Sequence, residues 1–363
     1  MKRTPLYEIH QALGATFTKN REDWELVGCF SDSLKEHRTV RQNVGVVDLS
    51  HRGRLRLAGN DRVAYLHRII SNDVEGLAAG QGNYATILTN RGKIIADMKV
   101  YVFEDFIGIE TNSETTSSLY QELDKYLIAD DVTIEDFTER TGAVGVHGPK
   151  SAELLQEVYG FDVGDLPEYH TVVHEINGRR IICARADETG EVGYNLCTTS
   201  EALEWLWDTV LTKGRTFDVE PVGLTALNAL RIEAGIPCYG AELDDSIFPG
   251  EAELEHAVSF EKGCYIGQEI VARMKYRGHP NRLLRGFEID GDIRPQKGDL
   301  LFDSDKEIGW ITSAVVSPTL GKTVGIGYVR IAFTDEGSQV EIETAEGRVN
   351  ATVGLLPFYQ RSG

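Results

Sequence analysis

The chain has no apolar run of 18 residues, which excludes a membrane-spanning helix. It has no Cys-x-x-Cys pair and no His-Glu-x-x-His motif, so the commonest zinc signatures are missing and no metal is expected. The five cysteines stand apart, at 29, 183, 197, 238 and 264. An odd, scattered set argues against a disulfide framework and fits a reducing compartment. The N-terminal stretch lacks the apolar centre of a signal peptide, and a cytoplasmic location is expected. Positive charge is scarce: 37 Lys and Arg against 57 Asp and Glu leave a formal net charge of −20. Such a surface repels phosphate backbones and anionic lipids, which argues against nucleic acid or membrane as the main partner. The acid is spread along the chain, as at Glu22-Asp23, Asp130-Asp131 and 251–255, with no acidic tail. Spread acid reads either as adaptation to a high-salt (halophilic) cytoplasm, where screening removes self-repulsion, or as an ordinary acidic protein. No repeat and no low-complexity segment is present. Gly142, Gly145 and Gly148 form GxxGxxG without Rossmann spacing after it, and read as strand and turn.

What is there is a long, patterned chain. At 363 residues it exceeds one small core and predicts two or three domains. Residues 60–70 have capped amphipathic helix character, with Ala64, Leu66, Ile69 and Ile70 apolar. Residues 84–111 read as three strands, turning at Asn90-Arg91-Gly92 and at Glu104-Asp105. Helices are expected over 113–127, 151–159 and 201–211, the last from Leu203, Leu206, Trp207 and Val210 at helix-face spacing. Pro221 is placed to open a helix that Gly235 closes. After Arg282, to about Pro357, the pattern changes to short strands with frequent Gly and Asp, a separate small β domain.

The strand 93–103 carries the most information. Ile94, Ala96, Met98, Val100 and Val102 fall on one face, the core face. Lys93, Ile95, Asp97, Lys99, Tyr101 and Phe103 fall on the other. Asp97 and Tyr101 therefore point the same way, roughly 13 Å apart at about 3.3 Å per residue. By periodicity alone this face is either a solvated surface or one wall of a site.

Several motifs bear on that choice: Thr4-Pro5-Leu6, Trp24-Glu25, Val47-Asp48-Leu49-Ser50-His51, Ser71-Asn72-Asp73-Val74, and the stretches 80–84 and 90–101. Further on stand Gly148-Pro149-Lys150, Thr189-Gly190-Glu191-Val192-Gly193-Tyr194 and Leu230-Arg231-Ile232-Glu233-Ala234-Gly235. Ile308-Gly309, Thr312-Ser313, Ser317-Pro318-Thr319-Leu320-Gly321-Lys322 and Leu356-Pro357-Phe358-Tyr359 complete the set. In order and spacing it resembles the aminomethyltransferase (glycine cleavage T-protein) superfamily over nearly the whole chain. A second resemblance lies inside the first: Lys262-Gly263-Cys264-Tyr265-Ile266-Gly267-Gln268-Glu269 resembles the signature of the YgfZ branch, which binds folate and supports iron–sulfur enzymes.

The resemblance implies an α+β, multi-lobed, folate-binding fold. Residues 1–282 would form the folate-binding region, as two α+β lobes, and 283–363 a small C-terminal β-barrel. It implies tetrahydrofolate as cofactor, with a central site. A carboxylate can take two hydrogen bonds from a pterin edge. The T-protein motif gives that role to Glu191, which otherwise is a turn residue. Tyr84 and Tyr101 can wall a flat ring, or be ordinary strand aromatics. Asn112 matches an asparagine that T-proteins place by folate, or else caps the following helix. Arg231 pairs with a carboxylate, either of the ligand tail or of a buried acid. Asp97 matches the catalytic second member of an aspartate pair whose first member is here Ala96. Such a carboxylate can handle protons during one-carbon transfer.

Departures from the T-protein pattern are Thr115 for a second asparagine and His256 for an aromatic; they touch lipoyl-protein docking and the pterin pocket. Cys264, between Gly263 and Gly267 and beside Lys262, is either a functional thiol or a buried small hydrophobe. Three functions follow: a YgfZ-like folate protein supporting iron–sulfur enzymes, the first expectation; a tetrahydrofolate-dependent aminomethyltransferase or related demethylase, working with a lipoyl carrier protein; and a folate-free interaction scaffold that kept the fold.

Overall fold

Alternation of apolar residues builds two larger sheets and a barrel, each with its own core, in the computed structural model, which describes residues 1–361. The last two residues of the expected 283–363 domain lie outside the described residues. The first larger sheet is antiparallel, with neighbours in the order Gly82–Leu88, Ile94–Val102, Phe106–Thr111, Gly53–Ala58, Thr133–Asp136. Helices Arg62–His67 and Thr116–Lys125 cover one face, and Leu66, Leu119 and Leu123 pack there against Ala96, Met98 and Val100. The three-strand reading of 84–111 and the inward set of its middle strand both hold.

The second sheet runs Thr171–Ile176, Arg179–Arg185, Gly193–Thr199, Thr141–His147, Val44–Asp48, Val219–Pro221. Only its last strand is parallel to its neighbour. Helices Ser151–Tyr159 and Ser200–Lys213 close its core, where Trp207 is fully buried with Leu203 and Leu206. Strands from Arg282–Ile289 to Gly347–Gly354 form a closed six-stranded barrel. A three-stranded sheet of Lys2–Arg3, Trp24–Cys29 and Thr16–Lys19 completes the architecture. The fold is α+β with a C-terminal barrel, as expected. No helix of the described residues is long and apolar enough to cross a membrane.

The helices expected over 113–127 and 201–211 are Thr116–Lys125 and Ser200–Lys213, and two further expectations fail more widely. Pro221 does not open a helix; it ends the Val219–Pro221 strand, where its missing N–H suits a sheet edge. The helix Leu224–Glu233 starts after Gly223, where a Cβ would lie 2.4 Å from the carbonyl oxygen of Gly28. The helix expected over 60–70 is only Arg62–His67, because Asp61 makes no side-chain cap bond to it and instead accepts from the Asp131 backbone N–H.

Candidate functional site

The outward face of the Ile94–Val102 strand looks into the gap between the two large sheets. Near the middle of the strand stands Asp97. Its Oδ2 accepts a hydrogen bond from the Tyr84 hydroxyl at 2.8 Å, while its Oδ1 is buried without a partner. Burial pushes the Asp97 carboxyl above its ordinary value, and the Tyr84 hydrogen bond opposes this only in part. The Tyr84 ring is stacked near Tyr169 and His256, with centroids 6.1 and 5.5 Å away. Tyr169 has φ +62°, a conformation that costs energy for a bulky residue. Gly82 makes room for it: a Cβ there would stand 2.4 Å from the Tyr169 carbonyl oxygen.

Next along the same face comes a charged quartet. Lys99 donates to Glu110 at 3.0 Å and also to Glu188. Arg52 grips both oxygens of Glu188, at 2.5 and 2.7 Å, and reaches Glu110 at 3.0 Å. Burial alone would neutralise these carboxyls. The charges of Lys99 and Arg52 outweigh it and hold both below the usual carboxylate range. In return Glu110 and Glu188 keep Lys99 protonated. The Asn195 amide donates to both acids, at 3.5 and 3.4 Å.

Beyond the quartet the gap opens into a cavity of about 290 Å³, near the lower end for small-molecule pockets. Tyr101, Phe103, Phe106 and Ile182 give it apolar walls, and Glu110 and Asn195 line its polar part. The Tyr101 hydroxyl and the Asn195 Oδ1 are both buried without a partner. Asp97 and Tyr84 do not line this cavity. The site therefore has two compartments, an acid–phenol pair and an aromatic slot, with four charges between them.

Of the expected site residues, the structure pairs Asp97 with Tyr84 and places Tyr101 farther along the same strand face, in the slot. It sends the others to different partners. Glu191 accepts from Arg41 at 3.2 Å and from the Tyr359 hydroxyl at 2.6 Å, and does not line the slot. Arg231 takes the buried-acid alternative: it binds Glu242 at 2.6 Å and the Ser313 hydroxyl at 2.8 Å. Asn112 shapes the turn before a helix, accepting from the Glu114 N–H at 3.0 Å, and its amide lies 3.7 Å from the Cys238 sulfur. Cys264 is exposed, so it is not a buried hydrophobe. The cation expected to activate it points elsewhere: Lys262 donates to the carbonyls of His67, Ile70 and Asn72. Among the described residues no group of His, Cys, Asp and Glu could hold a metal ion.

Sequence reasoning missed Arg52, Glu110, Glu188, Asn195 and Tyr169. Lys99 did sit on the charged face of the strand, and that unpaired charge was the one available signal.

Two family models together span most of the chain. The model described as GCVT N-terminal domain matches residues 6–262, and that of the glycine cleavage T-protein C-terminal barrel domain matches residues 282–360. The chain belongs to the glycine cleavage T-protein family. Among curated relatives, the aminomethyltransferase of Chloroherpeton thalassium is 32% identical over 364 residues, and that of Geobacillus kaustophilus 33% identical over 365; both alignments cover 100% of each chain. The crystal structure of the glycine cleavage system aminomethyltransferase T from Bartonella henselae superposes with a TM-score of 0.91 at 26% identity, covering 99% of this chain and 98% of that one. These matches support the T-protein superfamily and give no support to the YgfZ branch or to a role with iron–sulfur enzymes.

The T-protein motifs also explain the fate of Glu191. Arg41 binds the Thr189 carbonyl, Glu191 and Glu233, at 2.7, 3.2 and 2.6 Å, and stacks on the Tyr359 ring at 3.8 Å. Glu233 in turn accepts from His37, Ser317 and Thr319. Burial would raise its carboxyl, but the bonds from His37, Ser317 and Arg41 bring it down to about 2. The motif segments at 189–194, 230–235, 317–322 and 356–359 thus meet in one lock between lobes and barrel.

Proposed function

We propose that this T-protein relative transfers an aminomethyl group from a lipoyl carrier protein to tetrahydrofolate, with Asp97 as the carboxylate that handles the proton. The observation that carries the reading is Asp97 itself: a buried-side carboxyl raised by its surroundings, tied to Tyr84 on one oxygen and unpartnered on the other. A perturbed carboxyl with a free, aimed oxygen is what proton transfer to a ligand nitrogen needs. Full-length likeness to proteins named aminomethyltransferase supports the same reading.

The residues fit the folate. Among the buried polar atoms without a partner, Asp97 Oδ1, Tyr101 OH and Asn195 Oδ1 belong to residues of this site and are open to a ligand. Tyr101, Phe103 and Phe106 offer flat walls, and Glu110 and Asn195 offer hydrogen-bonding capacity to a polar ring edge. Tetrahydrofolate, when bound, supplies the nitrogens that take up the one-carbon unit, while ammonia and the carrier thiol are released. Asp97 then moves a proton at the ligand nitrogen. Tyr84 holds the carboxylate in place. The aromatic stacks around it keep water away.

The YgfZ-like reading is the weaker one here. It asks for a reactive thiol at Cys264, and the nearest cation in sequence is spent on three carbonyls. The deciding experiment is turnover with aminomethylated lipoyl carrier and tetrahydrofolate. We expect methylene-tetrahydrofolate and ammonia from the native chain, and a loss of at least about 100-fold in kcat for Asp97→Asn with folate affinity nearly intact. Equal turnover by the two proteins rejects the assignment.

A further inference from the structure

Asp97 offers a ligand one free oxygen, Oδ1, and that atom is buried. Aminomethyl transfer asks for more than one proton movement. The donor ammonium must lose a proton before its nitrogen can expel the carrier sulfur, and the sulfur must gain one to leave as a thiol. Both changes take place on the donor, which arrives from solvent on a protein, whereas Asp97 serves the folate nitrogens. A second proton carrier is needed at the solvent side of the site.

His256 stands there. It is exposed, and its ring stacks on the Tyr84 ring with centroids 5.5 Å apart and planes 17° from parallel. The Tyr84 hydroxyl in turn bonds Asp97 at 2.8 Å. The backbone that carries His256 is pinned by the motif residues Ser71 and Asn72. The Asn72 amide donates to the carbonyls of both His256 and Tyr84, at 2.9 and 2.8 Å. The Ser71 hydroxyl donates to the Ala257 carbonyl at 2.6 Å and accepts from the Thr86 N–H at 2.8 Å. The one-turn helix Glu255–Ala257 is thereby clamped to the strand Gly82–Leu88. The T-protein pattern has an aromatic at this place, and any aromatic could stack on Tyr84. An imidazole adds two nitrogens, and neither bonds a protein group among the described residues. The titratable groups beside the ring are Tyr84 across the stack and Glu255 next in the chain. Partial burial lowers its proton affinity and Glu255 raises it by less, so the ring is a neutral base at neutral pH.

We infer that His256 is the proton carrier of the donor side, taking a proton from the donor ammonium and returning it to the departing sulfur; the inference rests on the transfer reading above. The nitrogen lone pair that His256 frees forms a C=N bond while the C–S bond breaks, and the C–S electron pair leaves with the sulfur. The imidazolium then protonates the thiolate, which is the stronger base of the two. The step needs no oxidant or reductant. It leaves a methylene iminium for capture on the Asp97 side.

The test uses the full chain with His256→Phe, which keeps a stacking ring and removes the nitrogens, and His256→Ala, which leaves room for a small base. Two reactions are followed. One is complete transfer from an aminomethylated lipoyl carrier to tetrahydrofolate. The other omits folate: water captures the iminium, and the donor gives carrier thiol, formaldehyde and ammonium. Calorimetric titration with tetrahydrofolate checks that the pocket is intact. We expect His256→Phe to lower both rates by about 100-fold with folate affinity unchanged. Imidazole in solution should restore both rates to the His256→Ala protein, and substituted imidazoles should do so in the order of their pKa values. Native rates in His256→Phe, a His256→Ala protein that no added base rescues, or loss of folate affinity in step with the rates overturns the assignment. Native rates in His256→Phe beside an inactive Asp97→Asn protein would leave the transfer reading standing. Thiol release that depends on His256, without any methylene-tetrahydrofolate from the native chain, would sink the transfer reading and keep the His256 assignment. A native chain that acts on the donor in neither reaction overturns both.

Discussion

At the scale of single residues, the central question is how a carboxylate is tuned. Asp97 has two opposing influences: burial, which raises its proton affinity, and the Tyr84 hydroxyl, which lowers it by bonding the charged form. Replacing Tyr84 by Phe removes the second and leaves the first. The acid limb of the kcat/KM profile for the Tyr84→Phe protein should therefore move to higher pH, because the carboxyl now keeps its proton longer. A limb that stays put, or moves down, shows that Asp97 is not the group titrating. Asp97 was legible in the sequence because a strand has period two and its core set, Ile94 to Val102, is strict. Glu191 was read as a folate carboxylate because its motif matches a family, and Arg231 as the partner of either a ligand tail or a buried acid; the structure pairs Glu191 with Arg41 and Tyr359, and Arg231 with Glu242. A motif reports that a residue type is needed at a place; it does not say whether the need is chemical or architectural.

At the scale of elements, the quartet ties the two large sheets together, beside the bonds from Arg54 to Thr141. Lys99 and Glu110 come from neighbouring strands of the five-stranded sheet, Glu188 from the loop before Gly193–Thr199, and Arg52 from the link into Gly53–Ala58. Removing one member strands a buried charge, which typically costs about 3–5 kcal/mol, whereas replacing an opposed pair by apolar groups can be nearly neutral. Lys99→Met should therefore lower the unfolding free energy by about that amount, and Lys99→Met with Glu188→Leu by much less. Urea unfolding of the four proteins of the cycle checks this; additive losses would mean that the charges do not act as a unit. Nothing local in the sequence could show the quartet, since its members are separated by 11 to 136 positions and meet only through the facing of two sheets. The helix Ser151–Tyr159, by contrast, was readable to its ends, because Gly148 and Pro149 before it and the left-handed Gly160 after it are all local signals. Pro221 was misread because the same fixed φ that opens helices also suits a strand at a sheet edge.

At the scale of the whole molecule, the net charge of −20 works against compactness while the salt-bridged interior resists it. Salt screens exposed charges and leaves buried pairs almost untouched. The melting temperature should therefore rise as KCl is raised from about 0.1 M to about 1 M, over which the screening length falls from about 10 to about 3 Å. A flat or falling profile in a thermal scan would show that self-repulsion is not a significant load on the fold. The quartet at the centre follows another rule, and it bears on descent. Two positive and two negative side chains sum to zero, so the four positions cannot drift independently. A lineage that replaces Glu188 by an uncharged residue leaves Arg52 and Lys99 with one acid between them, and the next tolerated change is the loss of a cation. Positions 52, 99, 110 and 188 should therefore be inherited as one character. Relatives of this chain should divide into those that keep all four charges and those whose gap is apolar, with few intermediates surviving between them.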